Sequence, residues 1–133
     1  MQNLFVYGTL EFAPVVKKLL GSVPRGESAL LPEHSRHMLM NRNYPGIIRQ
    51  PGAQVDGILY RGITAKYLRI LDRYEDDIYQ RQLVSVIDSC GRQVNAWAYI
   101  IPLRYKKELT SLPWDRNKFA QIHLKRFLNV RCR

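Results

Sequence analysis

Cysteine is nearly absent from this chain of 133 residues, in which only Cys90 and Cys132 occur. Small secreted domains that depend on disulfides carry many more cysteines, so we expect no disulfide framework and infer a reducing, cytoplasmic setting. No apolar run approaches the length of about 18 residues that a membrane span needs. The first residues also lack a basic segment followed by a long apolar one. We therefore expect an unexported protein with no membrane partner.

Several motifs that would indicate a bound nucleotide, a catalytic nucleophile or a metal ion are also missing. The chain contains neither of the glycine-rich nucleotide-binding patterns, GxxxxGK[ST] and GxGxxG, nor a GxSxG nucleophile motif. His34 and His37 are separated by two residues, but no second pair of ligands follows at the spacing of a known metal site. The sequence therefore predicts no metal and no cofactor.

Acidic residues are the scarcer charge, with 11 Asp and Glu against 21 Lys and Arg and a net charge of +10. The excess is uneven, because residues 101–133 contribute +7 and residues 1–100 only +3. A charge of this size leaves a nucleic-acid-binding module as an alternative function. The 46% hydrophobic content is enough for one core. We predict a single domain over residues 1–133 with a basic C-terminal segment from about residue 102.

The first half of the chain reads as strands around one helix. The apolar run 4–7 predicts a buried strand that stops at Gly8. Pro14 and Gly21 are typical of the first turn and the C-cap of a helix. Between residues 23 and 63, repeated prolines and glycines indicate several short strands, of which 54–60 is the clearest.

The second half adds two helices and a hairpin. Thr64 is a suitable N-cap for a helix that runs to about Tyr74. Residues 82–88 and 92–101 read as the two strands of a hairpin, and residues 117–128 as a final helix with Phe119, Ile122, Phe127 and Leu128 on its apolar side. The pattern as a whole predicts an α+β domain with a curved, mostly antiparallel sheet or small barrel.

The segment Val6-Tyr7-Gly8-Thr9-Leu10 is the first candidate site, because a strand runs directly into a glycine turn. Successive N–H groups in such a turn form a concave nest that binds a carboxylate or an oxyanion, and Gly8 allows close approach to the backbone. The alternative is an ordinary connection between a strand and a loop.

Glu75 is the second candidate, because it lies in an acidic segment after an amphipathic helix. If the helix extends this far, Leu68, Leu71 and Glu75 share one face. A carboxylate held against an apolar wall has a raised pKa, which suits a general base. Tyr79 and Arg81 follow within reach of the same region. The alternative is a solvated helix end whose charges are balanced by nearby arginines.

Six motifs occur in an order that resembles gamma-glutamylcyclotransferase-like proteins, most of all the branch that contains the gamma-glutamylamine cyclotransferases. They are Val6-Tyr7-Gly8-Thr9-Leu10, Tyr44-Pro45-Gly46, Val55-x-Gly57-x-Leu59-Tyr60, Leu71-Asp72-x-x-Glu75, Tyr79-x-Arg81 and Ala96-Trp97-Ala98-Tyr99. The resemblance covers residues 4 to about 101, so the basic C-terminal segment departs from it.

The resemblance implies a small mixed, mostly antiparallel β-barrel with flanking helices and a cavity at one end. It also implies that Tyr7, Gly8, Thr9 and Leu10 hold a γ-glutamyl group and that Glu75 is the catalytic general acid/base. Tyr79 and Arg81 are the further substrate-binding candidates. The expected reaction cyclises the γ-glutamyl group of an amine or peptide to 5-oxoproline without a cofactor. A non-catalytic metabolite-binding module is the alternative, and the substrate's amine and the oligomeric state stay open.

Overall fold

Five strands close into a barrel in the computed structural model, which describes residues 2–131. They are β1 (Gln2–Val6), β2 (Gly26–Met38), β3 (Pro45–Ile63), β4 (Gln80–Ile87) and β5 (Gln93–Ile100). The order around the barrel is β1-β3-β2-β4-β5. Neighbouring strands are antiparallel except for β1 and β5, which pair in parallel through Leu4 and Trp97. The prediction of an α+β fold with a small mixed barrel is confirmed.

Helices flank the barrel and begin and end where local chemistry predicts. They are α1 (Ala13–Leu20), α2 (Ala65–Tyr74), α3 (Arg116–Lys118) and α4 (Leu124–Arg131). Gly21 terminates α1 in the left-handed conformation at φ 81°. The Thr64 hydroxyl caps α2 by accepting a hydrogen bond of 3.1 Å from the N–H of Tyr67. Within residues 2–131, no helix has both the length and the apolar character that crossing a membrane requires.

Residues 23–63 form two long strands, so the prediction of several short strands is wrong. The β2–β3 hairpin stays paired from Gly26 and Tyr60 to Met38 and Pro45, with one shift of register after Pro32. At that shift Glu33 and Gly52 adopt positive φ angles of 63° and 83°. The hairpin therefore bends within a continuous ladder, because the irregularity is absorbed by a bulge and does not end the strands.

Gly57 allows β1 to lie directly against β3. A Cβ atom at this position would be 2.2 Å from the carbonyl oxygen of Val6 and 2.8 Å from Cζ of Phe5. Only a residue without a side chain permits this approach. The barrel interior behind it is filled by buried apolar side chains, among them Phe5, Leu31, Ile47, Leu59, Val86 and Ala98.

A π-helical turn, Phe119–His123, joins α3 to α4 and changes which side chains are buried. Phe119 and Phe127 are eight residues apart, and the extra residue in the wide turn brings them onto one side. Their ring centroids are 5.4 Å apart. The same turn leaves Ile122 60% exposed. The prediction that Ile122 belongs to the apolar side is therefore wrong, whereas Phe119 and Phe127 are buried as expected.

Candidate active site

A narrow cavity lies at the end of the barrel where β1 stops. Its wall consists of Phe5, Val6, Tyr7, Gly8, Thr9, Leu10, Tyr44, Pro45, Tyr74, Glu75, Tyr79, Tyr99 and Phe127. The free volume is about 30 Å³, which is room for one or two water molecules. The structure thus brings six of the seven sequence-predicted site residues into one wall. Arg81 is the exception and is not among the residues that line this cavity.

The loop of residues 7–10 uses its carbonyl oxygens for contacts within the protein. Tyr7 O accepts from Arg36 Nη1 (2.9 Å), Gly8 O from the N–H of Glu11 (3.0 Å), Thr9 O from the N–H of Phe12 (3.2 Å) and Leu10 O from the Tyr60 hydroxyl (2.9 Å). Among the hydrogen bonds formed within residues 2–131, none is donated by the N–H of Gly8, Thr9 or Leu10. Three successive N–H groups without a protein acceptor are typical of a nest that binds an anion.

Glu75 reaches the cavity by leaving its helix. Helix α2 ends at Tyr74, and Glu75 is the C-cap with an extended backbone at φ −70° and ψ 147°. Its N–H still donates to the carbonyl of Leu71 at 3.0 Å. Helix α2 thus ends at Tyr74, as the sequence predicts, and does not extend to place Glu75 on the helix face of Leu68 and Leu71. The Glu75 side chain nevertheless lies half-buried in the cavity wall. Glu75 is the one carboxylate among the described residues of that wall.

Three tyrosines line the cavity together with Glu75: Tyr7 and Tyr99, which are buried, and Tyr79, which is partly buried. Burial raises the pKa of Tyr7 and of Tyr79 well above the ordinary value, and the negative charge of Glu75 raises both further. Burial also raises the pKa of Tyr99, together with its hydrogen bond to Asp72 and the charge of Glu75. All three are therefore neutral at physiological pH and act as hydrogen-bond donors. The Tyr7 hydroxyl donates to Tyr99 O and the Tyr79 hydroxyl to Pro45 O, each at 2.5 Å.

Two other carboxylates of the acidic segment, Asp72 and Asp76, lie outside the cavity wall and bind arginine and tyrosine side chains. Asp76 accepts hydrogen bonds from the Tyr44 hydroxyl (2.9 Å) and from Arg42 Nε (3.0 Å). Burial opposes ionisation of Asp76, but these hydrogen bonds outweigh it and lower its pKa. Asp72 forms an ion pair with Arg81 at 2.9 Å. The interpretation of the segment as a balanced helix end thus describes Asp72 and Arg81, whereas Glu75 faces the cavity.

Arg81 lies beside the cavity wall. Its guanidinium carbon is 4.4 Å from the centroid of the Trp97 ring, and its N–H groups point to Asp72. The expected role of Arg81 in substrate binding stays a prediction. Within residues 2–131, no group of three or more His, Cys, Asp or Glu side chains is arranged to hold a metal ion.

Sequence reasoning missed three groups that shape the site. Arg36 and Tyr60 anchor the 7–10 loop from 29 and 50 residues away in the chain. Tyr60 belongs to one of the six motifs, but nothing in the sequence indicates its hydrogen bond to the loop. Arg36 belongs to none of the motifs. Phe127 closes the wall with Tyr44 and Tyr74, at centroid distances of 6.3 and 6.2 Å. The sequence predicted that Phe127 lies on the apolar side of the final helix, but it contained no signal that this helix contributes to the cavity wall.

Comparison with known proteins identifies the family of this chain. A family model described as gamma-glutamyl cyclotransferase, AIG2-like, matches residues 4–116. The chain belongs to this family. AIG2-like protein D of Arabidopsis thaliana is 34% identical over 132 residues, which cover 98% of this chain and 86% of that protein. The family match stops at residue 116, so the wall residue Phe127 lies beyond it.

Solved structures of related proteins share the fold of this AIG2-like domain. The solution structure of an Arabidopsis thaliana protein is 26% identical, has a TM-score of 0.76 and covers 96% of this chain and 86% of its own. The crystal structure of an AIG2-like protein from Mus musculus is 28% identical with a TM-score of 0.64, covering 87% and 86%. The barrel with its flanking helices is thus the common architecture of these proteins.

Proposed function

We propose that this AIG2-like protein cyclises the γ-glutamyl group of a γ-glutamyl amine or peptide to 5-oxoproline and releases the free amine. Glu75 is the general acid/base in this proposal, and the 7–10 loop binds the γ-glutamyl group. One observation carries it. The Glu75 carboxylate lies in the same cavity wall as the Gly8, Thr9 and Leu10 N–H groups, which donate no hydrogen bond within residues 2–131, and neutral tyrosines line the same wall.

The chemistry requires a group that accepts protons and returns them. The substrate's α-ammonium must lose a proton before its nitrogen can attack the γ-carbonyl carbon. A bond then forms between these two atoms, and the bond to the leaving nitrogen breaks. Over the whole reaction the α-nitrogen gives up two protons and the leaving nitrogen gains two. A carboxylate at Glu75 is suited to this relay, and no electrons are exchanged with a cofactor.

The loop supplies the second requirement, which is stabilisation of negative charge. The N–H groups of Gly8, Thr9 and Leu10 are available for the substrate's α-carboxylate or for the oxyanion that develops on the γ-carbonyl. The cavity wall then holds the flexible γ-glutamyl chain in a folded form, so that amine and carbonyl meet. The hydrogen bond from the Tyr79 hydroxyl to the Pro45 carbonyl fixes the position of the Tyr79 ring in that wall. Arg81 stabilises the wall indirectly, through its ion pair with Asp72.

Replacement of Glu75 by glutamine tests the proposal. Glu75→Gln keeps the shape of the side chain and removes the base, so we expect the turnover rate to fall by roughly 10²- to 10⁴-fold. The matched control is Asp77→Asn, because Asp77 is an exposed carboxylate two residues away and outside the cavity wall. This control should retain the wild-type rate. The measurement is 5-oxoproline release from γ-glutamyl derivatives of methylamine, of the lysine ε-amine and of alanine.

The same panel separates catalysis from binding. Release of 5-oxoproline by the wild type and Asp77→Asn, with loss in Glu75→Gln, supports the assignment. Equal rates for the wild type and Glu75→Gln would remove Glu75 from the mechanism. Saturable binding of the panel without any 5-oxoproline would favour the non-catalytic metabolite-binding module.

A further inference from the structure

We infer that Arg36 is a positioning residue that sets the direction of the Gly8 N–H in the substrate-binding loop. Arg36 lies on β2 and its side chain is only 22% exposed, although its ion-pair partner Asp56 is 77% exposed. The expected effect of Arg36 on catalysis rests on the proposed function, whereas its effect on the direction of the Gly8 N–H does not.

The guanidinium of Arg36 joins two segments of the barrel end. Its Nη1 donates to the carbonyl oxygen of Tyr7 at 2.9 Å and to that of Asp56 at 3.0 Å. Its Nη2 donates to Asp56 Oδ1 at 2.7 Å. One side chain therefore ties the start of the loop to β3. The planar, multiply donating guanidinium suits this arrangement, because a lysine ammonium has neither its fixed fork nor its reach to several acceptors in one plane.

The anchored carbonyl controls the N–H of the next residue. The peptide unit between Tyr7 and Gly8 is planar and trans, so its C=O and N–H groups point in opposite directions. Arg36 holds the carbonyl on the side of β2, and the Gly8 N–H is consequently fixed on the opposite side. Glycine places few restrictions on its own backbone, so this orientation needs an external anchor.

The loop has no local substitute for this anchor. The carbonyls of Gly8 and Thr9 accept from the N–H groups of Glu11 and Phe12, which are part of the same turn. The two ends of the loop depend on side chains from the barrel, Arg36 at Tyr7 and Tyr60 at Leu10. Of these two, only the Arg36 contact acts on the peptide unit that contains the Gly8 N–H.

Residual dipolar couplings of the backbone amides test the orientation directly, because each coupling reports the direction of one N–H bond. We compare the full-length wild type with Arg36→Met and with Asp56→Asn. Asp56→Asn weakens the ion pair and keeps both carbonyl contacts, so its Gly8 coupling should equal that of the wild type. Arg36→Met should change or average the Gly8 coupling while that of Val6 on β1 stays the same. Unchanged couplings at both positions in Arg36→Met would overturn the inference.

Kinetics on the same proteins give the functional consequence. In Arg36→Met we expect kcat/KM for 5-oxoproline release to fall about tenfold or more, the usual effect of losing a charge-assisted hydrogen bond. A rise in KM identifies the α-carboxylate as the group held by the loop, and a fall in kcat identifies the oxyanion. Arg36→Lys should recover part of the loss. A reoriented Gly8 N–H with wild-type kinetics would overturn the catalytic consequence.

The two proposals fail in different ways. If the wild type releases no 5-oxoproline, the proposed function is wrong, and the Gly8 coupling still decides the role of Arg36. If the wild type is active and Arg36→Met matches it in couplings and kinetics, the role of Arg36 is wrong and the proposed function is untouched.

Discussion

Tyr99 and Asp72 are joined by a hydrogen bond of 2.7 Å, donated by the tyrosine hydroxyl to Oδ1 of the aspartate. Tyr99 lines the cavity, whereas Asp72 lies on α2 outside it and also accepts from Arg81 at 2.9 and 3.2 Å. The Tyr7 hydroxyl donates in turn to the main-chain carbonyl of Tyr99. Arg81 is thus connected to the wall residue Tyr99 through Asp72.

This connection predicts a structural effect for Arg81→Met. We expect the free energy of unfolding to fall by about 1 kcal/mol, because a bidentate but partly exposed ion pair is lost. We expect KM for a γ-glutamyl substrate to change less than about threefold. Urea unfolding and steady-state kinetics measure the two quantities. Arg73→Met is the control, because Arg73 is an exposed cation that follows Asp72 in helix α2. A tenfold rise in KM at unchanged stability would instead indicate direct contact with the substrate.

Phe127 predicts a change in substrate preference. Its ring closes one end of the cavity against Tyr44 and Tyr74. Phe127→Ala enlarges this end, so kcat/KM should rise severalfold for bulky leaving amines relative to methylamine. The free energy of unfolding should fall by about 3 kcal/mol because a buried aromatic is truncated.

Two further variants separate selectivity from stability in that experiment. Phe127→Leu keeps most of the apolar volume, so it should show a smaller shift of preference and a smaller loss of stability. Ile122→Ala alters an exposed side chain of the adjoining π-helical turn and should change neither quantity. A preference that stays constant across all three variants would show that this end of the cavity does not contact the leaving amine.

Local features were predictable from the sequence, because their causes lie within a few residues. The left-handed Gly21 and the Thr64 cap are set by neighbouring backbone groups, and the β4–β5 hairpin by a short turn. The meeting of Glu75 with the 7–10 loop was implied by the family resemblance. No spacing in the chain specifies this arrangement, since the hydrogen bond between the Thr9 and Tyr74 hydroxyls joins residues that are 65 positions apart.

Features that depend on distant contacts escaped prediction for a common physical reason. The prolines of β2 and β3 indicated breaks, but pairing along the whole hairpin holds both strands together across the bulge near Pro32. The final helix was read with a uniform period, and the π-helical turn moved Ile122 to the surface. Arg36 is one of 21 basic residues, and only the folded barrel distinguishes it from the others.

Glu11 predicts a dependence of stability on pH. Burial raises its pKa to about 7 despite the opposing charges of Arg116 and Arg36. The folded state therefore keeps a proton that the unfolded state loses above its ordinary pKa. Stability contributed by this proton is present below about pH 4.5 and is lost as the pH rises to 7, at a cost of up to about 3 kcal/mol.

Glu11→Gln should remove that dependence. At pH 8 the variant should be more stable than the wild type by up to about 3 kcal/mol, and at pH 4.5 or below the two should be nearly equal. Urea unfolding of both proteins at several pH values measures the difference, in which the titration of all other groups largely cancels. A difference that does not vary with pH would contradict the assignment.

Gly57 predicts the largest loss of stability from a single methyl group. In Gly57→Ala the new Cβ would lie 2.2 Å from the carbonyl oxygen of Val6, a backbone atom that moves only if β1 separates from β3. We expect the free energy of unfolding to fall by about 3 kcal/mol or more, or the protein not to fold. Gly21→Ala is the matched control, since its left-handed φ of 81° costs about 1 kcal/mol but no atom lies within 4 Å of the new methyl group. Equal losses in the two variants would show that the barrel accommodates a side chain where β1 meets β3, and that the close approach at Gly57 does not determine its closure.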